Sequence, residues 1–312
     1  MYRFLLRRLV ASLFTLLVIS LLVFLLARGS GDPRSLMLDD YADTGQWEEV
    51  GAKLGLDKPW FVAWPPWESQ YGIFLINAAR LDFGNAISDP RTVSELIMER
   101  LPATLQLGLA AFIFSIIIGV PLGILSSLKR NSIWDNMGKL VALLGQSMPP
   151  FWLGIMLIFL FALRFEWVPP SGRQDWNSFI LPAITLGWFF VAANMRLIRS
   201  AMLEVLDSEY IKLARAKGVS PPAVVWKHAL RNALIPPLTF MGVTLGLLIT
   251  GSIVAETVFQ WPGLGLLAYT ALIRSDYPTL QGIVMVFSGM YLIINFLVDI
   301  LYAYIDPRIR YS

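Results

Sequence analysis

Six stretches of the chain are apolar enough, and long enough, to cross about 30 Å of hydrocarbon: Leu9–Ala27, Ala103–Leu128, Leu140–Leu163, Phe179–Ala201, Leu238–Val258 and Ile283–Tyr304. They predict six membrane-spanning helices. Two long polar segments break the pattern, 29–100 and 207–237. The second has helix punctuation of its own. Glu209 to Lys217 reads as a helix of alanines and long straight side chains, and Gly218 stands where a left-handed C-terminal cap belongs. Ser220 with Pro221 and Pro222 then opens a second helix of about three turns through Ala233. On it Val224, Leu230 and Leu234 share a face, while Lys227 and Arg231 are like charges at i, i+4. Two short helices and a tight turn predict a compact basic knob between the fourth and fifth spans.

Composition agrees with a membrane class. The 312 residues are 56% hydrophobic and 15% charged, against about 25% charged in soluble domains. The distribution of charge fixes an expected orientation. With the N-terminus inside, the inner connections hold fifteen Lys and Arg, and the two short outer loops hold only Arg164, Arg173 and Arg274. Both termini and the knob are therefore expected in the cytoplasm. The net charge of +3 is then a matter of topology rather than of nucleic-acid binding, because segment 29–100 alone carries twelve carboxylates.

The first span follows Arg3, Arg7 and Arg8, and its core is too long for a cleaved signal, so an uncleaved signal anchor is expected over 1–28. Segment 29–100 is the expected extracytoplasmic loop or small domain, and residues 101–312 the core, with the cytoplasmic loop at 202–237. Within 29–100, Trp60, Trp64, Trp67 and Tyr71 read either as a membrane-interface belt or as a docking surface. Gly119 and Gly123 flank Pro121 at a spacing that lets a helix approach closely, within this chain or in a partner. The same two readings are open for Gly242 and Gly246. Pro149 and Pro150 should distort the first turn of the third span. Glu256 and Trp261, beside a proline-glycine turn, form a candidate outer gate or, for Glu256, a helix cap, next to a short broken or re-entrant segment. Asp299, inside the last span, should pair with a cation.

The wording of the knob resembles the coupling loop of ABC-transporter permeases of the dipeptide/oligopeptide/nickel importer group. The strings are Ala214-Arg215-Ala216-Lys217-Gly218 and His228-Ala-Leu-Arg231-Asn232-Ala-Leu-Ile-Pro236. The wider superfamily writes E-A-A-x-x-x-G; here Lys212 and Leu213 stand where its Glu and first Ala would be. Further phrases of the same group occur in order: Gly31–Pro33, Leu54–Pro59, Leu81–Ser88, Arg100–Gly108, Gln146–Gly154, Val168–Arg173, Ile180–Gly187 and the closing Leu297–Arg310. The resemblance implies an all-α membrane protein of the type I importer fold with an insertion between helices 1 and 2. It implies an ATPase-coupling role for Ala214 to Gly218, Ser220, Pro221, Lys227, His228, Arg231 and Asn232. The implied partners are a second homologous permease, two ABC ATPases, an extracytoplasmic solute-binding protein and the lipid bilayer, in a bacterial or archaeal plasma membrane. The implied cargo is a peptide-like solute, with nickel complexes, glutathione and oligosaccharides as alternatives.

Other chemistry is poorly supported. No G-x-x-x-x-G-K-[ST] phosphate loop occurs, so ATP and magnesium are expected on partner subunits and no cofactor on this chain. Cysteine is absent and His228 is the only histidine, which removes thiolate catalysis and H-E-x-x-H metal sites. A membrane enzyme would need a catalytic constellation that the chain lacks. A receptor would not need the basic knob.

Overall fold

The computed structural model describes residues 2–29, 34, 38, 43–53, 56–61 and 65–305. Gly31–Pro33, Leu54, Gly55, Trp64 and residues 306–312, which figured in the sequence reading, lie outside the described residues. Helix α1 covers Tyr2–Gly29, α2 Thr44–Lys53, α3 Gln70–Ala79, α4 Val93–Leu128 and α5 Ile133–Ser147. Then come α6 over Pro150–Arg164, its last seven residues π-wound, and α7 over Ile180–Leu206. The knob is α8, Glu209–Ala216, and α9, residues 221–233. Helices α10 (Ile235–Thr250), α11 (Ile253–Val258), α12 (Leu264–Ile273) and α13 (Tyr277–Ile305) follow.

Among the described residues five helical segments are long and apolar enough to span a membrane, and the bent pair α5 and α6 makes a sixth if taken as one crossing. That pair corrects the single helix expected over Leu140–Leu163: the two halves meet at 107°. A residue before proline is pushed out of the helical region, and here this happens twice running. Met148 (ψ 123°) precedes Pro149, and Pro149 (ψ 137°) precedes Pro150. Two successive extended residues turn the chain instead of merely kinking it. Pro150 then begins α6, where no backbone N–H is needed.

The longest helix, α4, has 36 residues and so runs roughly 54 Å. Thr92 and Glu95 start it with a reciprocal capping box. It packs along α7 at backbone distance because glycines line the seam. A Cβ at Gly123 would lie 2.7 Å from the Met195 carbonyl oxygen, one at Gly119 2.9 Å from that of Val191, and one at Gly187 2.7 Å from that of Ala111. Gly119 and Gly123 thus serve packing within the chain. So does Gly246, whose neighbours are Tyr291 and Ile294 of α13.

Helix α1 is barely buried along its length and is held at intervals. Arg8 of α1 makes a two-pronged ion pair with Asp299 of α13, NH2 to Oδ1 at 2.9 Å, which is the cation partner expected for Asp299. Further along, Gln281 Nε2 donates to the Val23 carbonyl (3.3 Å), and the hydroxyls of Ser20 and Tyr71 lie 2.9 Å apart. Tyr71 belongs to α3, and with Phe61 and Phe74 it packs round the Phe24 ring at 5.4–6.0 Å. Trp60 and Trp67 remain exposed.

Candidate functional site

The knob forms because its turn satisfies the orphan carbonyls of α8. Gly218 takes φ +78°, Val219 N–H donates to Ala214 O (3.2 Å) and Gly218 N–H to Arg215 O (3.0 Å). This is the paired Schellman arrangement that a left-handed residue makes possible. Ser220 is extended (φ −60°, ψ 143°) and caps α9 by position without a side-chain bond, with Pro221 at the first helical residue. Unlike the plain helix expected from sequence, α9 carries a π turn over Val224–Ala229.

What makes the knob rigid is its apolar underside. Ile211, Val224, Ala229 and Ala233 are buried in one cluster with Ile124 of α4, Ile198, Met202 and Leu206 of α7, and Met241 of α10. Asn232 Nδ2 donates to the Tyr210 hydroxyl (2.9 Å), tying α9 to α8. Above this base Arg215, Ala216, Lys217, Gly218, Ser220, Pro221, Lys227, Arg231 and Asn232 are exposed, while Ala214 and His228 are half-buried. The structure therefore gathers all eleven candidate coupling residues on one knob bolted to three long helices. Trp226, 62% exposed on the π turn, joins them and was not anticipated.

Sequence reading also missed a clamp at the same end. The carboxylate of Asp135, in the first turn of α5, is fully buried and accepts bonds from Ser126 Oγ, Asn131 N–H, Lys139 Nζ and Arg199 Nε and NH2, all within 3.0 Å. It locks α4, α5 and α7 together. Only Arg199 and Lys139 were legible beforehand, and then as topological charges.

At the opposite end Glu256 and Trp261 are both fully buried. Glu256 Oε1 accepts from Thr104 Oγ1 (2.8 Å) and Ser252 Oγ (2.6 Å), and Oε2 from the N–H groups of Gly265 (2.7 Å) and Leu266 (3.0 Å). The carboxylate thus caps the N-terminus of the short apolar helix α12, a position that favours negative charge. Only glycine fits beside it: a Cβ at Gly263 would lie 2.3 Å from Oε2. Trp261 Nε1 donates to the Ala103 carbonyl (2.9 Å), and its ring stands edge-on to Phe179 at 4.5 Å. Neither side chain faces open solvent.

A second carboxylate organises this end. Asp276 is buried between α12 and α13 and receives the N–H groups of Ile87, Ser88 and Thr279 and the Ser88 hydroxyl, at 2.8–3.2 Å. Burial alone would raise its pKa, but these bonds outweigh burial and hold the carboxyl below the ordinary carboxylate range. Its stabilising contribution is therefore complete above about pH 4, the unfolded value, and is lost as pH falls through the lower folded value. Hydrogen exchange at Ile87 and Ser88, corrected for intrinsic rates, should stay protected at pH 5 and open in acid. Asp276→Ala, which leaves neither amide an acceptor, should expose both at either pH.

Long apolar helices carrying a packed basic knob at one end and a buried, capped short helix at the other define a multi-span membrane protein. Comparison with known proteins identifies the family. The model described as "Binding-protein-dependent transport system inner membrane component" matches residues 119–311, and its N-terminal counterpart matches residues 1–108. The chain belongs to this family: it is a multi-pass inner-membrane permease of an ABC importer, in the dipeptide/oligopeptide/nickel group. It is 39% identical over 313 residues to the glutathione transport system permease protein GsiC of Escherichia coli (strain K12), covering 100% of both chains. With the Salmonella typhimurium (strain LT2) protein of the same name the identity is 40% over 313 residues, again with 100% of both covered. Among solved structures, an inward-facing MetNI methionine ABC transporter chain superposes with a TM-score of 0.58 at 21% identity, covering 68% of this chain and 96% of that one. An amino acid ABC transporter chain, solved with histidines, gives 0.56 at 14% identity, covering 68% and 94%. Both carry the same fold.

Proposed function

We propose that this permease forms half of the path for a short peptide-like solute and takes its driving force from ATPase subunits gripping the knob. The carrying observation is a knob exposed above and packed below against α4, α7 and α10. Force applied to it reaches three long helices with no flexible joint between. The excess of Lys and Arg in the inner connections supports a cytoplasmic knob, cytoplasmic termini and an outer face made by 29–100 and the Glu256 region. A second permease completes the path, two ATPases hold ATP and magnesium, and a solute-binding protein delivers cargo to the outer face. Each nucleotide state must favour one orientation of the helices for transport to be driven. Glutathione, carried by the relatives named above, is itself a tripeptide, which favours a di- or oligopeptide class over nickel complexes or oligosaccharides. Glu256 and Trp261 act at the outer mouth by fixing α12, the element a gate would use, not by swinging themselves.

Gly218 supplies the test, because a Cβ there meets nothing within 4 Å and only its positive φ resists substitution. Gly218→Val strains the turn by about 1–2 kcal/mol or more, whereas Gly218→Asn tolerates the same backbone. In proteoliposomes with its ATPases and binding protein, the valine variant should keep ATP hydrolysis and lose roughly tenfold of labelled tripeptide uptake. The asparagine variant should transport nearly normally. Normal coupling in the valine variant would overturn the lever reading.

A further inference from the structure

Helix α3 is built the wrong way round for water. Its ten residues and the Ser69 that caps it carry no charge, and the side turned away from the protein is the apolar one. Gln70 is buried, its Nε2 donating to the carbonyls of Leu56 (3.2 Å) and Lys58 (2.6 Å). Tyr71 and Phe74 pack on Phe24 of α1, and Ile73 and Asn77 line a cleft of about 450 Å³ between α1, α3 and the start of α13. Left on the outward side are Gly72, Leu75, Ile76 and Ala79, a stripe at i, i+3, i+4 and i+7 of which Ile76 and Ala79 are exposed. A helix facing water shows the opposite pattern, polar residues out. Trp60, Phe61 and Trp67, in the chain leading into α3, are exposed as well.

The depth of α3 is set by α1. Arg8, paired with Asp299, and Arg28 stand twenty residues apart, which is about 30 Å along a helix and matches the hydrocarbon thickness. Phe24 then lies about 6 Å inside the Arg28 end, and Ser20 about 12 Å. The rings of Phe61, Tyr71 and Phe74 gather round Phe24 at 5.4–6.0 Å. The Tyr71 hydroxyl lies 2.9 Å from the Ser20 hydroxyl and 3.3 Å from the Leu17 carbonyl oxygen. Helix α3 is thus pinned within the bilayer thickness, beside the exposed Leu22 and Leu26 of α1. Its first turn agrees. The N–H groups of Gln70, Tyr71 and Gly72, which a helix ordinarily leaves to water, donate to the carbonyls of Pro59 (3.0 Å) and Trp60 (3.1 Å) and to Ser69 Oγ (3.0 Å). Where water is scarce, such groups must be paired within the protein. Exposed charges resume on either side, at Asp57, Lys58 and Glu68 before α3 and at Arg80 and Asp82 after it.

We infer that α3, with Trp60, Phe61 and Trp67, lies in the leaflet at the Arg28 end, its outward stripe against acyl chains and its aromatic rings at the headgroup boundary. Of the two readings open for this aromatic cluster, the bilayer is the one that the depth supports. A soluble protein would have to reach about 6–12 Å below the charged end of α1 to cover the same surface, whereas lipid is already there. The placement depends on α1 crossing the membrane and not on which face is cytoplasmic.

A chain without cysteine permits a direct test. Single cysteines at Ile76 and Trp67 are spin-labelled in the assembled transporter in nanodiscs, and collisions are measured with oxygen, which concentrates in lipid, and with a water-soluble nickel chelate. Both sites are exposed, so the labels leave the packing intact. Leu22→Cys on α1 and Ser171→Cys in the exposed loop before α7 calibrate lipid and water. Ile76→Cys should give an oxygen-to-nickel ratio severalfold above that of Ser171→Cys and close to that of Leu22→Cys, at a depth of about 5–10 Å. Trp67→Cys should fall between them, and adding Ile76→Asp should lower its ratio, because a charge on the stripe draws α3 out of the leaflet. A ratio at Ile76 as low as at Ser171 overturns the placement; if the nickel collisions then vanish on adding the solute-binding protein, the stripe is a surface for that protein. A label shielded from both reagents overturns it too, and assigns the stripe to a contact with the second permease.

Discussion

Glu256→Ala should cost the isolated permease about 3–5 kcal/mol, among the largest losses any one polar substitution can cause. The change removes the acceptor of four donors at once, the Gly265 and Leu266 N–H groups and the Thr104 and Ser252 hydroxyls, of which Ser252 keeps only a long bond to the Ile249 carbonyl (3.4 Å). The space is buried, so water cannot enter to replace the carboxylate without reopening the packing. The helix that loses its cap, α12, is also the lid over Leu96, Ile97 and Ile283, so the damage spreads through that cluster. Scanning fluorimetry in detergent should find a clearly lowered Tm, with Thr104→Val lowering it less because three of the four bonds to the carboxylate survive, although the Leu264 N–H loses its Thr104 Oγ1 acceptor. A wild-type Tm in the alanine variant would mean that the carboxylate is not what holds α12.

Gly123→Val is the second large effect, and its cause is opposite in kind. There the new side chain meets a backbone oxygen at 2.7 Å and the Ile198 Cβ at 2.9 Å, neither of which can swing away. Overpacking typically costs 1–3 kcal/mol, and a clash with fixed backbone belongs at about the upper end. The seam between α4 and α7 must open along its length, because Gly119 and Gly187 hold the same two backbones together. Limited proteolysis and Tm should both report a loosened bundle. Gly289→Ala is the control: nothing lies within 4 Å of its Cβ, and Ala is the better helix former. Equal Tm values for the two variants would exclude close backbone contact as the basis of the pair.

The features visible in the sequence are those the bilayer or the local chain imposes. Spanning helices stand out because unpaired backbone is intolerable in hydrocarbon, which forces long apolar runs. The knob's turn was readable at Gly218, Ser220 and Pro221, since capping involves residues only a few apart. The clamp and the Asp276 anchor were not, because their partners are remote: 64 residues from Asp135 to Arg199 and 188 from Ser88 to Asp276; for Glu256 the cap was one of the two readings open, its amides lying nine and ten residues on, while its Thr104 partner, 152 residues away, left no signal. The π turn at Val224–Ala229 left no local signal at all. Pro149 and Pro150 announced a disturbance, but its angle depends on both residues being extended together, which only the folded chain reveals.

That elbow has a further consequence for hydration. Helix α6 starts at it without any side-chain cap, so its first amides, and the last carbonyls of α5 opposite them, lack helical partners. Surrounded by acyl chains, each such group would cost several kcal/mol. The corner therefore has to meet protein, headgroups or water rather than acyl chains, which limits how it can sit in the bilayer.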